Sequence, residues 1–350
     1  MRDDWRVFLT DAGAVIEDGN VVSFGNPTRE RRVVNAGGIL ADLSHEGLIA
    51  VHGADAQKHL MGQFTNDVLK VTPELSQVNG YCTPQGRLLA ILRLFKRGET
   101  YYLSLPRDRV EPIIKRLRMY ALNAKVTLED ASETLVRVGV GGPKIASDLA
   151  RVSSVPEADN QVTQTQNVTV VRLPGMTPRF EIVGDAADVK KIWSSLSVNS
   201  TPVGADAWML TDILAGLPTV TGATVEEFIP QMLNLQSVGG ISFNKGCYPG
   251  QEIVARTKYL GKLKRRMYLA HSDTSLRPTP GDDVFLAAGT ATDAQEPQKV
   301  GKIVCAAPAQ DKGFSMLAVL EIARADEPLA LAAPIGPPLK LMALPYAVDS

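Results

Sequence analysis

An α+β fold ending in an all-β unit is predicted by three features of the chain. Alternating apolar runs and amphipathic helical segments follow one another without the regular strand–helix alternation of a doubly wound sheet. From about Leu263 onward the apolar runs shorten and are separated by Pro, Gly and Asp, as in a small barrel or sandwich. The length of 350 residues, 45% of them hydrophobic, suits two or three domains, each with a core of its own.

The elements can be read in order. The stretch WRVFLTDAGAVIEDGNVVSFGN carries an Asp18-Gly19 turn between apolar pairs, which predicts a hairpin in an N-terminal appendage, residues 1–38. LIAVHG (48–53) reads as a strand. Asp55 is then placed to cap a helix that sets Ala56, Leu60 and Phe64 on one face. Strands are expected on either side of Pro84-Gln85-Gly86 and of Gly98, followed by the helical RDRVEPIIKRLRMYAL and a strand KVTLED. LVRVGVGGPKIASDLARV predicts a strand entering a helix, and the polar SSVPEADNQVTQTQN after it predicts a loop. The final runs, MYLAHS, DVFLAA, KVGKIVCAA, FSMLAVLEIA and LKLMALPY, are short strands.

Charge and cysteine usage narrow the function. With 37 basic against 38 acidic residues there is no global field, so nucleic acid or a membrane surface would have to be met by a local patch. Cysteines at 82, 247 and 305 are odd in number and widely spaced, which argues against a disulfide scaffold and fits a reducing compartment. The start, MRDDWRVFLTDAG, lacks an apolar signal core, and no apolar run approaches about 18 residues. A cytoplasmic chain with no membrane partner is expected.

The densest chemistry lies in GGISFNKGCYPGQEIVAR (239–256). Pro249-Gly250 is a turn, and QEIVART supplies helix formers with Ile253 and Val254 as the apolar face. Cys247 would sit just before a helix N-terminus, with Lys245 two residues away. Both favour a thiolate over a thiol. Cys247 is therefore the candidate reactive atom, with Lys245 tuning it and Gln251, Glu252 and Arg256 positioning it. The bland alternative, a small residue packed in a turn, is the commoner fate of a lone cysteine. Next to it, TKYLGKLKRRM (257–267) gathers Lys258, Lys262, Lys264, Arg265 and Arg266 around Tyr259, either a phosphate-binding patch or a solvated basic edge.

Other motifs are weaker. In VGVGGPK (138–144) the third glycine of a dinucleotide loop would fall at Lys144, so an ordinary strand-to-helix turn is preferred. His45, His52, His59 and His271 form no ligand spacing, and no metal site is expected from the sequence.

With LTDILAGLPTVTG, EEFIPQMLNLQSVGGISFNKGCYPGQEIVAR, ADLSHEGLIAVHGADAQKHLMGQFTNDV and GYCTPQGRLLAILRLF in place, the chain resembles the YgfZ branch of the GcvT-like folate-binding proteins, over residues 38–349. The branch signature KGCYxGQE is met by Lys245, Gly246, Cys247, Tyr248, Gly250, Gln251 and Glu252. The resemblance implies a three-domain ring of mixed and antiparallel sheets with a C-terminal β-barrel. It divides the chain into a discontinuous folate-binding domain (39–130 with 205–260), a second α+β subdomain (131–204) and the barrel (261–350). It further implies tetrahydrofolate, or a folate derivative, as cofactor. Trp208 would contact the pterin, and Tyr248, Gly246 and Gly250 would lie on the cofactor side. The implied role is support of the assembly or repair of iron–sulfur enzymes, including tRNA-modifying ones, with tRNA contact through 257–267 as a further possibility.

Two departures stand out. Glu46 occupies a position where some relatives place a second folate-contacting tryptophan. Ala90 and Ile91 stand where aminomethyltransferases carry an acidic pair, and Leu214 replaces a folate-contacting glutamate. Without a titratable group there, true aminomethyl transfer is disfavoured, and a folate-dependent one-carbon transferase is the rival reading beside a tRNA-binding module.

Overall fold

A computed structural model describes residues 1–288 and 297–348. Three sheets dominate, matching the α+β expectation. The first has five strands, in spatial order Gln77–Cys82, Leu88–Arg97, Thr100–Pro106, Glu46–His52 and Thr127–Asp130, all paired antiparallel. The second has six: Val162–Gln164, Val168–Leu173, Arg179–Gly184, Val136–Gly141, Gly38–Asp42 and Ser200–Val203. Only its last pair is parallel, so this sheet is mixed. The third resolves the choice between barrel and sandwich. Six strands close on themselves as Arg265–Ser272, Phe314–Glu321, Lys299–Pro308, Asp283–Leu286, Leu329–Leu331 and Pro338–Met342, the last pairing back onto the first. Residues 289–296 of the expected barrel region, and the closing residues 349 and 350, lie outside the described residues.

The strands read correctly because their patterns are extreme. Val136–Gly141 is buried at every position, as a strand covered on both faces must be. Each sheet has its own core, and one further cluster is shared by all three. Cys82, Ile91 and Phe95 of the five-stranded sheet meet Ile39 and Val183 of the six-stranded one, and Met267, Val304 and Leu317 of the barrel. The helix Ala205–Leu214 supplies Trp208, Leu210 and Ile213 to the same cluster.

Residues 1–38 include the expected hairpin, Val15–Glu17 with Asn20–Ser23, whose turn residues Asp18 and Gly19 both have positive φ. They are more than a preamble. Trp5, in the helix Asp3–Asp11, is buried, donates from Nε1 to Asp42 Oδ1 at 2.8 Å and packs edge-on to Trp193. Glu30 is buried too. Its Oε1 accepts from Ser23 Oγ at 2.7 Å and Phe24 N at 2.8 Å, and its Oε2 from Gly204 N at 2.9 Å.

Three local expectations are corrected. The helix after Asp55 runs only Ala56–Met61, and Phe64 is buried beyond its end. Asp55 does not cap it with its side chain, because Oδ2 instead accepts from Lys125 N at 2.7 Å, tying down a distant loop. The polar stretch 153–167 is not all loop, since Val162–Gln164 joins the sheet edge through pairing with Val168–Leu173.

Candidate functional site

The turn before the helix Gln251–Tyr259 is built on two glycines. Gly250, the residue preceding the helix, has φ of +84°, and a Cβ there would lie 2.6 Å from Thr83 O and 2.7 Å from Gly86 Cα. Gly86, in the 84–86 turn, also has positive φ, so the two turns clasp each other where no side chain would fit. Val254 is buried behind the clasp. Ile253, expected on the same apolar face, is 37% exposed and rests only partly over Gly86.

Cys247 lies three residues before this helix cap and is exposed, whereas Cys82 and Cys305 are buried and burial pushes both of their thiols up to about 12. Lys245 is half-buried. Its Nζ donates to Met61 O and Phe64 O, each at 2.6 Å, and lies 4.8 Å from the Tyr248 ring centre. Burial lowers its pKa to about 8, against the opposing pull of Asp67 and Cys247. The ammonium therefore fastens the 241–248 loop to the carbonyls where the short Ala56–Met61 helix ends, while remaining close enough to Cys247 for the two charges to interact. Gln251 begins the helix. Among the described residues, Glu252 and Arg256 are exposed and have no side-chain hydrogen bond or ion pair, so they do not hold Cys247.

A separate feature lies where the sheets meet: a cavity of about 610 Å³. Its wall includes Trp208, Glu46, Arg137, Asp212, Arg107 and Ile91. Of the site residues expected from sequence only Trp208 lines it, and Cys247, Gly246, Tyr248 and Gly250 do not. Trp208 is 2% exposed: a Cβ on Gly139 would come within 2.7 Å of its ring atoms, and the Arg179 guanidinium lies 5.6 Å from its ring centre. It therefore offers a ligand only a small part of its surface.

Apart from Glu46, flagged through the family resemblance, the polar groups of the cavity escaped sequence reasoning. Arg137 is buried and donates from Nε to Glu181 Oε1 at 2.8 Å, from one terminal nitrogen to Gly47 O at 2.8 Å and from the other to Ser104 Oγ at 2.5 Å. Arg179 pairs with Asp212 at 2.7 Å. Glu46, whose side chain is 30% exposed, reaches Arg137 only at 3.7 Å. Burial, with Asp212 and Glu181 adding repulsion, raises its pKa to about 7 despite Arg137. His45 Nδ1 is buried without a hydrogen-bond partner, and burial lowers the pKa of its ring. A signal did exist, because Arg137 in LVRVGVG and Glu181 in RFEIVG are charges inside otherwise apolar strands. Such charges persist in a core only when paired.

Fold and cavity together define a GCVT-domain protein, since residues 20–237 match the family model described as the GCVT N-terminal domain. The aminomethyltransferase T of the glycine cleavage system from Bartonella henselae has the same fold, with a TM-score of 0.75 over 97% of this chain and 95% of that one at 17% identity. The chain belongs to the YgfZ family. It is 36% identical over 247 residues to the tRNA-modifying protein YgfZ of Colwellia psychrerythraea (strain 34H), covering 70% of this chain and 75% of that protein. It is 30% identical over 311 residues to the tRNA-modifying protein YgfZ of Escherichia coli O45:K1 (strain S88), covering 89% of this chain and 94% of that protein. No helix among the described residues is long and apolar enough to cross a membrane.

Proposed function

We propose that the chain binds a tetrahydrofolate in the cavity beside Trp208 and Glu46 and serves in the assembly or repair of iron–sulfur enzymes, among them enzymes that modify tRNA. The observation that carries the reading is the cavity itself. It has the size of a small-molecule site, largely apolar walls and a few convergent polar groups. The fit to a folate is chemical. An apolar wall of Trp208, Ile91 and Met209 suits a flat ring, the cavity carboxylates suit its N–H groups, and Arg107 on the rim suits an anionic tail.

Cys247 is the proposed working atom, exposed and beside Lys245. Among the described residues no three His, Cys, Asp or Glu side chains converge as metal ligands. Any iron or cluster contact by Cys247 is accordingly shared with a partner, because one thiolate does not hold a cluster. The names of the YgfZ relatives support a tRNA connection. A direct tRNA contact has its own support: Lys258 Nζ lies 3.7 Å from the Phe243 ring centre beside exposed Tyr259, and Lys262 and Lys264 are exposed. Arg265, by contrast, already pairs with Glu321 at 2.9 Å.

Calorimetric titration with tetrahydrofolate tests the proposal. Wild type should bind, and Trp208→Phe should bind more weakly, whereas absence of heat with correctly folded wild type would refute the cofactor. Steeply salt-dependent tRNA binding, lost on neutralising Lys258, Lys262 and Lys264 together, would instead favour the nucleic-acid reading.

A further inference from the structure

Five carboxylates line the cavity, and they are not equivalent: Asp18 and Asp108 are exposed, and Asp108 Oδ2 accepts from Gly222 N at 2.6 Å. Glu181 accepts a hydrogen bond from Arg137 at 2.8 Å, and Asp212 is ion-paired with Arg179 at 2.7 Å. Glu46 has only a 3.7 Å approach to Arg137, beyond normal hydrogen-bond length, because the nitrogens of that guanidinium are already directed at Glu181, Gly47 and Ser104. Among the described residues Glu46 is thus the half-buried carboxyl of the cavity wall with no polar partner closer than 3.7 Å, so both of its oxygens can accept. It sits at the start of the strand Glu46–His52, opposite Pro106.

We propose that Glu46 determines which ligand the cavity accepts, its carboxylate receiving hydrogen bonds from the adjacent N–H groups of an amino-substituted nitrogen heterocycle. This rests on the folate reading and deepens it, since the aminopyrimidinone edge of a tetrahydrofolate presents such donors. A carboxylate is an acceptor only, and a bidentate pair of N–H donors satisfies both of its oxygens.

The surroundings of Glu46 make this recognition depend on pH. Arg137 from the strand Val136–Gly141 favours its charged form, while burial, Asp212 from the helix Ala205–Leu214 and Glu181 from the strand Arg179–Gly184 favour the neutral form. His45, its chain neighbour, is itself kept neutral by burial. Arg93 and Arg107 also line the cavity. The balance leaves the carboxyl titrating at about 7. The ligand binds the carboxylate form, so affinity follows the ionised fraction and should rise by about tenfold from pH 6 to pH 8.

The test is anaerobic calorimetry with tetrahydrofolate at several pH values on wild type and Glu46→Gln, a variant of nearly the same shape. Wild type should bind about tenfold more tightly at pH 8 than at pH 6. Glu46→Gln should bind at least tenfold more weakly than wild type at pH 8, with a flat profile. Should wild type bind with no pH dependence, or Glu46→Gln keep the wild-type profile, the role of Glu46 is overturned while the folate reading stands. If wild type fails to bind tetrahydrofolate at any pH, both fall together. The wild-type profile needs no variant, so the inference can fail even if Glu46→Gln folds poorly.

Discussion

At the scale of single residues, three cysteines have three different fates. Cys82 and Cys305 are sealed in apolar surroundings that hold them as thiols, while Cys247 stands exposed beside Lys245. Iodoacetamide at pH 8 is therefore expected to label the native protein once, at Cys247, with the other two labelled only after denaturation. Mass spectrometry showing a second native adduct would contradict the burial pattern. Replacing Lys245 by Met removes both a nearby charge and the anchor to Met61 O and Phe64 O, so the rate of Cys247 labelling should change, and an unchanged rate would show that Lys245 neither tunes nor places the thiol. Glu46 carries a stability signature as well. Its pKa is raised on folding from the usual 4.5 to about 7, so the native state binds the proton more tightly, and stability is full below about pH 4.5 and lost as pH rises through 7. Glu46→Gln should accordingly leave stability nearly unchanged at pH 4.5 and raise it at pH 8 by an amount on the order of 2–3 kcal/mol, read by denaturant titration. Equal effects at both pH values would show that Glu46 does not titrate in this window. A residue that weakens the fold at the pH where it would bind ligand is what a site selected for binding rather than stability contains.

Between elements, the glycines of the motif separate fold from function. Gly250 must be glycine for the fold: its φ is positive and Thr83 O stands 2.6 Å from where a Cβ would be. Gly246 has nothing within 4 Å of that position. Gly250→Ala is therefore expected to destabilise the protein by roughly 1–3 kcal/mol and to loosen the Cys247 loop, seen as faster local proteolysis. Gly246→Ala should be nearly neutral in stability. If Gly246→Ala nevertheless abolishes activity in cells, the requirement is for open space over the backbone, as a ligand or partner would need. A Gly246→Ala protein as unstable as Gly250→Ala would overturn this division. The same logic shows why sequence reading succeeded here: Pro84-Gln85-Gly86 and Pro249-Gly250 are both turn signals, so each turn was legible alone. Their contact was not, because nothing in either turn's sequence specifies the other. The Asp55 cap failed for a related reason, since its geometry was available to the sequence but the competing Lys125 N–H, seventy positions on, was not.

For the molecule as a whole, the strands were legible because their apolar patterns and breakers are local, whereas the closure of the last six into a barrel, left open by those patterns and implied only by the resemblance, and the cavity were not. Glu46, Arg137, Glu181 and Asp212 come from four segments that converge only once the sheets assemble; beyond Glu46, which the resemblance flagged, the local hint was the presence of Arg137 and Glu181 in apolar strands. The assembly itself rests on the core cluster shared by both sheets and the barrel, with Trp208 in it. Trp208 fills space against Gly139 and is almost wholly buried, so Trp208→Ala would leave a void on the strand Val136–Gly141 that a residue as small as Gly139 cannot refill. A loss of about 3–5 kcal/mol is expected, against a much smaller loss for Trp208→Phe, which is why the latter is the proper variant for ligand binding. Because the cluster reaches Met267, Val304 and Leu317, the loss should be felt by the barrel as well as by the sheets. Hydrogen exchange of the Phe314–Glu321 amides should accelerate in Trp208→Ala along with those of Val136–Gly141. Barrel amides that exchange at the wild-type rate while the sheet amides open would show that the three units are stabilised independently, and that the shared cluster is contact without cooperation.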